Sequence, residues 1–330
     1  MVKTTILLTD EIPAPPALAR LGIETLPVTI GAGSERTRLR FIQFFTANIR
    51  NRNTRRAYAR AVKQFFEWTE SRGLDLEAID ALAVAAYVEK IGGEMARPSV
   101  KQVLAGIRQM FDYLVTGGIL HVNPAASVRG PKYVIKRGKT PVLSAEQARQ
   151  LLDAIDGTKL IGLRDRALIG LMVFSFARVG AVNTLRVGDY FENEKRWWLR
   201  LHEKGGKRHE VPCHHTLGKY LDDWIGAAGI EADKKGWLFP SIGKGNRLTK
   251  HRMDTNDMLR MIKRRAKQAG LPYSTCCHTF RATGITTYLK NGGTLEHAQQ
   301  IAAHESPRTT KLYDRTRDQV SVDEIERIEI

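Results

Sequence analysis

Residues 123–141, NPAASVRGPKYVIKRGKTP, divide this chain, because they fit neither a helix nor a strand. Three prolines remove backbone donors, two glycines loosen the main chain, and no apolar period runs through the segment. Helical periodicity lies on both sides of it. With 330 residues there is room for two ordinary domains, each with its own core. The expected fold is mainly α with a small β-sheet. It comprises an all-α domain over 37–122, a linker over 123–141, an α+β domain over 142–316 and a tail over 317–330. Residues 1–36, with Pro13, Pro15, Pro16 and Pro27, read as a loosely ordered arm.

Within the first domain, Leu39, Ile42, Phe45 and Ile49 recur at helical spacing. Asn53-Thr54 reads as the entry to a second helix, with Tyr58, Val62, Phe65 and Phe66 as its core stripe and Gly73 beyond its end. A third helix fits 78–91. Pro98 opens a fourth, which stops at Gly117-Gly118. In the second domain, Ser144 caps a helix, and 164–177 is apolar almost all round, the pattern of a buried helix. RWWLRL (196–201) and RHEVP (208–212) bracket Gly205-Gly206 and read as a β-hairpin with Lys204 beside its turn. Further helices fit 214–229, 252–269, 279–291 and 294–303.

Lys and Arg total 52 against 35 Asp and Glu, a net charge of +17. Such an excess suits a polyanion, since each neutralised phosphate releases condensed counterions. A hydrophobic share of 42% excludes a solvated tail. Cys213, Cys276 and Cys277 make no disulfide framework in a chain of this length, so a reducing cytoplasm is the expected compartment. The start carries no signal-peptide pattern, and no stretch reaches the length of a membrane span.

The last third concentrates the polar chemistry. CCHTFRATGITTY places His278 and Arg281 one helical turn apart, so both side chains can face one ligand. IAAHESPRTTKLYDRT supplies His304 and Tyr313, the latter just after a polar, turn-prone stretch. SFARVGAVNTL supplies Arg178 at the end of the apolar helix, where it needs a partner. Asp165 and Asp189 are structural candidates for that partner. A phosphate is the functional one, because the guanidinium fork matches two phosphate oxygens. Lys204, in LHEKGGKRHEVP, suits a general acid, with Lys207 as its local competitor. Tyr313 is either an ordinary half-buried tyrosine or a nucleophile. A phenol titrates near 10 and needs cations close by to react at a phosphate. His278 and His304 with Cys276 and Cys277 lack the spacing of a zinc site, so no metal is expected.

The ordered set Arg178, Lys204, His278-x-x-Arg281, His304, Tyr313 resembles the tyrosine recombinases, the phage integrase family. The resemblance covers roughly 38–316, with 38–120 similar to the family's helical, SAM-like core-binding domain. It implies that Tyr313 attacks a DNA phosphate to form a 3′-phosphotyrosyl bond. Arg178 and Arg281, helped by His278 and His304, would hold the non-bridging oxygens, and Lys204 would protonate the departing 5′ oxygen. No cofactor is implied. The implied partner is double-stranded DNA with inverted-repeat sites. The implied assembly is a homo-tetramer around a Holliday junction, monomeric or dimeric when free, near the nucleoid and away from membranes. The 317–330 tail would dock in a neighbouring protomer or onto its own domain. DNA contacts are expected from Arg52, Arg55, Arg56, Lys101, Arg108, Arg137 and Lys139. Four positions depart from the family pattern: Ala181 in place of an acidic residue, Ala302 and Ala303 where Leu-Gly precedes the histidine, and Ala282 in place of a second histidine. Two other readings remain: a sequence-specific DNA binder without catalysis, and a type IB topoisomerase-like enzyme.

Overall fold

The computed structural model describes residues 12–134, 138, 140–203, 206, 208–314 and 326, and only the main chain of Asn246. Arg137, Lys139, Lys204, Lys207 and all of the 317–330 tail except Glu326 therefore lie outside the described residues. The chain divides into two compact units, 1–134 and 135–330.

The first unit is helical. Helix Glu35–Gln43 runs into a single π-turn, Phe44–Asn48, and helices Arg52–Glu70, Ala81–Glu94 and Arg97–Thr116 follow. Their starts are set by side-chain caps. Ser34 accepts from the Thr37 amide, Asn51 from those of Asn53 and Thr54, and Asp80 from that of Ala83. The second helix thus begins two residues before the expected Asn53. Phe41, Phe44, Phe45, Phe65, Phe66 and Phe111 are fully buried, and neighbouring rings meet mostly edge to face. Of the expected stripe, Phe45 and Ile49 are buried and Ile42 packs against the core, whereas Leu39 is 50% exposed and Phe41 and Phe44 are buried instead. The π-turn brings the adjacent Phe44 and Phe45 onto the buried side together.

Two expectations at the edges of this unit are corrected. From residue 12 onward the proline-rich start is packed. Pro13 bridges Thr25, and Leu18, Ile23, Leu26 and Ile30 join the phenylalanine core. At the other end, the first part of the expected linker belongs to this unit. Ala125 and Val128 are buried in its core, and the Arg108 guanidinium donates to both of their carbonyls, at 3.1 and 2.6 Å.

In the second unit, helix Leu160–Phe174 is buried nearly all round, as its sequence required, with His215–Ala228 and Cys277–Lys290 packed on it. A Cβ on Gly284 would collide with the Val173 carbonyl, so glycine is what allows Cys277–Lys290 to approach Leu160–Phe174. Strands β1 (Tyr190–Asn193), β2 (Arg196–His202) and β3 (Arg208–Pro212) form an antiparallel sheet in which Leu199 faces Val211. The β2–β3 hairpin is the expected one. β1 and the pair β4 (Pro240–Ile242) and β5 (Leu248–Arg252) were not expected, being short with few buried residues. Helices Ala145–Asp153, Thr255–Gln268 and Leu295–Ile301 lie close to the expected places. The polar stretch before Tyr313 is not an open loop. Ser306 caps it, Pro307 begins it, and it forms the short helix Pro307–Lys311. Among the described residues, no helix is long and apolar enough to cross a membrane.

Candidate active site

The first turns of helix Cys277–Lys290 carry His278 and Arg281, and Arg281 is 1% exposed. Burying a guanidinium requires acceptors. Arg281 Nη1 donates to the Phe176 carbonyl, and Nη2 to the Ala302 carbonyl (2.6 Å) and to His304 Nε2 (2.7 Å). Both backbone segments that bring these carbonyls inward carry a non-glycine residue in the left-handed region, Phe176 at φ 54° and Ala303 at φ 47°. Arg281 Nε is buried and has no partner among the described residues. Desolvation, with the charge of Arg178, brings the Arg281 pKa down to about 10, so it remains a cation at neutral pH.

The His304 tautomer follows from its partners. A guanidinium has no lone pair to offer, so Nε2 must accept from Arg281. The ring proton is then on Nδ1, which donates to Thr310 Oγ1 at 2.9 Å. Burial, followed by Arg281, Arg178 and His278, pushes the His304 pKa down to about 3 and keeps it neutral. His278 is likewise lowered by burial and then by the two arginines.

Tyr313 is 8% exposed and belongs to a small apolar cluster with Phe176, Ala282, Ile285 and Ala302. Its ring lies nearly parallel to that of His304, 8° apart with centroids separated by 5.7 Å. Its hydroxyl is 2.8 Å from His278 Nε2, and its carbonyl accepts from Thr286 Oγ1 at 3.0 Å. The tyrosine is therefore seated among the polar groups of its own chain.

Arg178 caps the short helix Val179–Val182 and does not end the long one. It pairs with neither Asp165 nor Asp189. Asp165 holds Arg164, Arg264 and Arg265, and Asp189 faces His202. The partner of Arg178 is Glu203, at the end of β2, whose side chain is 4% exposed. Position 181, where the family pattern has an acidic residue, is alanine, and the carboxylate beside Arg178 comes from another element. Five of the six residues singled out earlier are described, and four of them, His278, Arg281, His304 and Tyr313, are joined by direct contacts. The fifth, Arg178, acts on three of these through its charge.

Sequence reasoning missed Glu203, Thr310 and the Phe176 and Ala302 carbonyls. A glutamate directly before Lys204 was the available signal for the first; the carbonyls have none, since every residue carries one. Of the expected DNA-contacting residues, Arg52, Arg56 and Lys101 are exposed. Arg55 and Arg108 are partly exposed, Arg55 donating to the Ile49 carbonyl and Arg108 to those of Ala125 and Val128. Among the described residues no three His, Cys, Asp or Glu side chains gather as a metal site, and the cysteines are free.

Known proteins are similar to this chain. Residues 141–319 match the model of the phage integrase family, and 41–118 match that of the phage integrase N-terminal SAM-like domain. The chain belongs to the phage integrase family, the tyrosine site-specific recombinases. It is similar to the tyrosine recombinase XerC of Thermodesulfovibrio yellowstonii, at 25% identity over 82% of this chain and 91% of the relative. It is also similar to XerC of Chlamydia caviae, at 28% identity over 70% and 72%. Among solved structures, XerH bound to a palindromic difH substrate, in a post-cleavage complex, shares the fold at a TM-score of 0.67 and 16% identity, covering 96% of this chain and 99% of that one. A lambda integrase dimer bound to a core site shares it at 0.66 and 19%, covering 94% and 84%.

Proposed function

We propose that this chain cuts and rejoins DNA at paired inverted-repeat sites through a 3′-phosphotyrosyl intermediate and a Holliday junction, with four protomers acting together. The observation that carries this reading is the Tyr313 hydroxyl 2.8 Å from His278 Nε2, in a cluster whose cations, Arg281 and Arg178, lie within electrostatic reach.

In the first step Tyr313 Oη attacks the phosphorus, and neutral His278 accepts the phenol proton. Arg178 and Arg281 offset the charge that grows on the non-bridging oxygens. His304 in its neutral form fixes Arg281 through Nε2. The 5′ oxygen leaves with a proton, for which Lys204 is the proposed donor. The phosphodiester energy is kept in the new bond, so reversal by a 5′-hydroxyl from a partner duplex needs no cofactor. Arg52, Arg55, Arg56, Lys101 and Arg108 are the proposed DNA contacts of the first unit, and Arg137 and Lys139 are proposed beside them.

The test is recovery of SDS-stable protein–DNA adducts from cells expressing the wild type, sequenced beside a Tyr313→Phe control. Adducts clustered at an inverted repeat and absent from the control are expected. Scattered adducts would instead indicate a topoisomerase. Equal DNA occupancy without adducts in either strain would indicate a non-catalytic binder.

A further inference from the structure

We propose that Glu203 is the positioning residue for Arg178, holding its guanidinium in place for the phosphate and neutralising it until the phosphate arrives. This rests on the recombinase reading above. A carboxylate beside a site built for an anion is unfavourable unless it does something there. Glu203 is nearly inaccessible, its side chain 4% exposed, and its partner among the described residues is Arg178. Its main chain is fixed as well: it follows the β2–β3 pairing of His202 with Arg208, and its carbonyl accepts from the Gly206 amide at 3.3 Å. The anchor is therefore buried and backbone-bonded, while its partner is 36% exposed at the N-cap of a four-residue helix. A guanidinium so placed has many rotamers, and one buried acceptor selects among them. The local sequence offers no substitute, since position 181, one turn on, is alanine.

Charge supplies the second half of the argument. Arg178 and Arg281 repel, and Arg178 is one cause of the lowered Arg281 pKa. Glu203 acts on Arg281 in the opposite direction. One carboxylate therefore lets two cations converge before any phosphate is bound. It engages Nη1 of Arg178, and the other four donors of the fork remain for phosphate oxygens.

The experiment uses full-length protein and duplex oligonucleotides that carry a site recovered from wild-type Tyr313 adducts. It measures single-turnover adduct formation and, separately, DNA affinity and melting temperature. Glu203→Ala and Glu203→Gln are expected to slow adduct formation by about 30- to 100-fold, the usual cost of a misplaced catalytic group. Affinity should be unchanged or tighter, because a negative charge has been removed from beside the DNA. Glu203→Asp should recover part of the rate. In an Arg178→Ala background, Glu203→Gln should have no further effect, because it acts only through that arginine. A wild-type rate in Glu203→Gln and Glu203→Ala would overturn the proposal. So would an equal slowing in the Arg178→Ala background, or affinity and melting temperature falling together with the rate, each of which marks a merely structural residue. If the wild type yields no adducts at all, the recombinase reading itself fails. If it yields adducts and Glu203→Gln matches it, only the role of Glu203 fails.

Discussion

Helices Arg97–Thr116 and Cys277–Lys290 lie in the middle of their units, yet they are built on opposite terms. The first buries Val100, Val103, Leu104, Ile107, Met110, Phe111 and Leu114 on one stripe. The second buries Thr279, Arg281, Thr283 and Thr286 among Phe280, Ala282, Ile285 and Leu289. Three of those polar side chains are tied to other segments and one to the helix's own cap. Thr283 accepts from the Leu143 amide, Thr286 donates to the Tyr313 carbonyl, Arg281 holds Phe176 and Ala302, and Thr279 accepts from the amide of the N-cap Cys276. The first helix stabilises by apolar area removed from water. The second fixes where its neighbours go, and the candidate site is assembled from those neighbours.

Truncation at the two centres should separate these roles most sharply. Phe111→Ala is expected to destabilise by about 3–5 kcal/mol, the cost of a large core cavity. Its chemical step should be unchanged wherever the protein is still folded. Arg281→Ala leaves buried carbonyls without donors, at about 1–3 kcal/mol for each unsatisfied group. Adduct formation should also fall by at least about 10²-fold, the scale for losing one preorganised charge-stabilising group. Denaturant melts paired with adduct assays under native conditions check both. A Phe111→Ala variant that folds but does not cleave would break the division of labour.

Acid should act on the second centre. The His304 pKa falls from 6.5 to about 3 on folding, so below 6.5 the unfolded state binds more protons there. The stability linked to this group is fully present above pH 6.5 and is lost as pH falls toward 3. His278 shifts in the same direction. Melting temperature measured between pH 7 and 4 should decline, and His304→Gln should make that decline shallower. Equal slopes in the two proteins would show that the imidazole is not the buried neutral base inferred from its contacts.

A smaller effect tests the anchoring of the tyrosine. Thr286→Val keeps the shape but removes the donor to the Tyr313 carbonyl, and should cost about 1–2 kcal/mol. Adduct formation should slow more than this loss of stability explains, because the phenol loses its registration with His278. A change in stability alone would mean that stacking on His304 is enough to seat the ring.

The contrast between the two helices also explains what the sequence revealed. The apolar stripe of Arg97–Thr116 was legible because burial and period agree. Cys277–Lys290 was located as a helix, but its buried threonines look like solvent-facing residues until their partners are known. His278, Arg281, His304 and Tyr313 were legible as side chains that phosphate chemistry needs, in an order that resembles a family. The backbone carbonyls that hold Arg281 were not, since a carbonyl leaves no mark in a sequence. Nor was the Arg178–Glu203 pair, which joins residues 25 apart on different elements. The expected arm failed for a related reason: Pro and Gly mark irregular backbone, and irregular backbone can still pack, as Leu18 and Ile30 do.

The finest test lies in that backbone. Phe176 and Ala303 both occupy the left-handed region, where a Cβ crowds the following carbonyl at a cost of roughly 1–2 kcal/mol. At Phe176 the ring compensates, packing against Tyr288 and within the cluster around Tyr313, so glycine there would exchange strain for a cavity. Ala303 has only a methyl to lose. Ala303→Gly removes the crowding but gives the unfolded chain more freedom, so the net gain should be at most about 1 kcal/mol. The gain should appear as a slightly raised melting temperature with adduct formation unchanged, because the Ala302 carbonyl already accepts from Arg281 in this conformation. If glycine instead slows adduct formation, then the methyl at 303 is part of what holds His304 and the Ala302 carbonyl against Arg281. Strain at this turn would then serve the site, and the left-handed alanine would not be a tolerated departure from the family pattern.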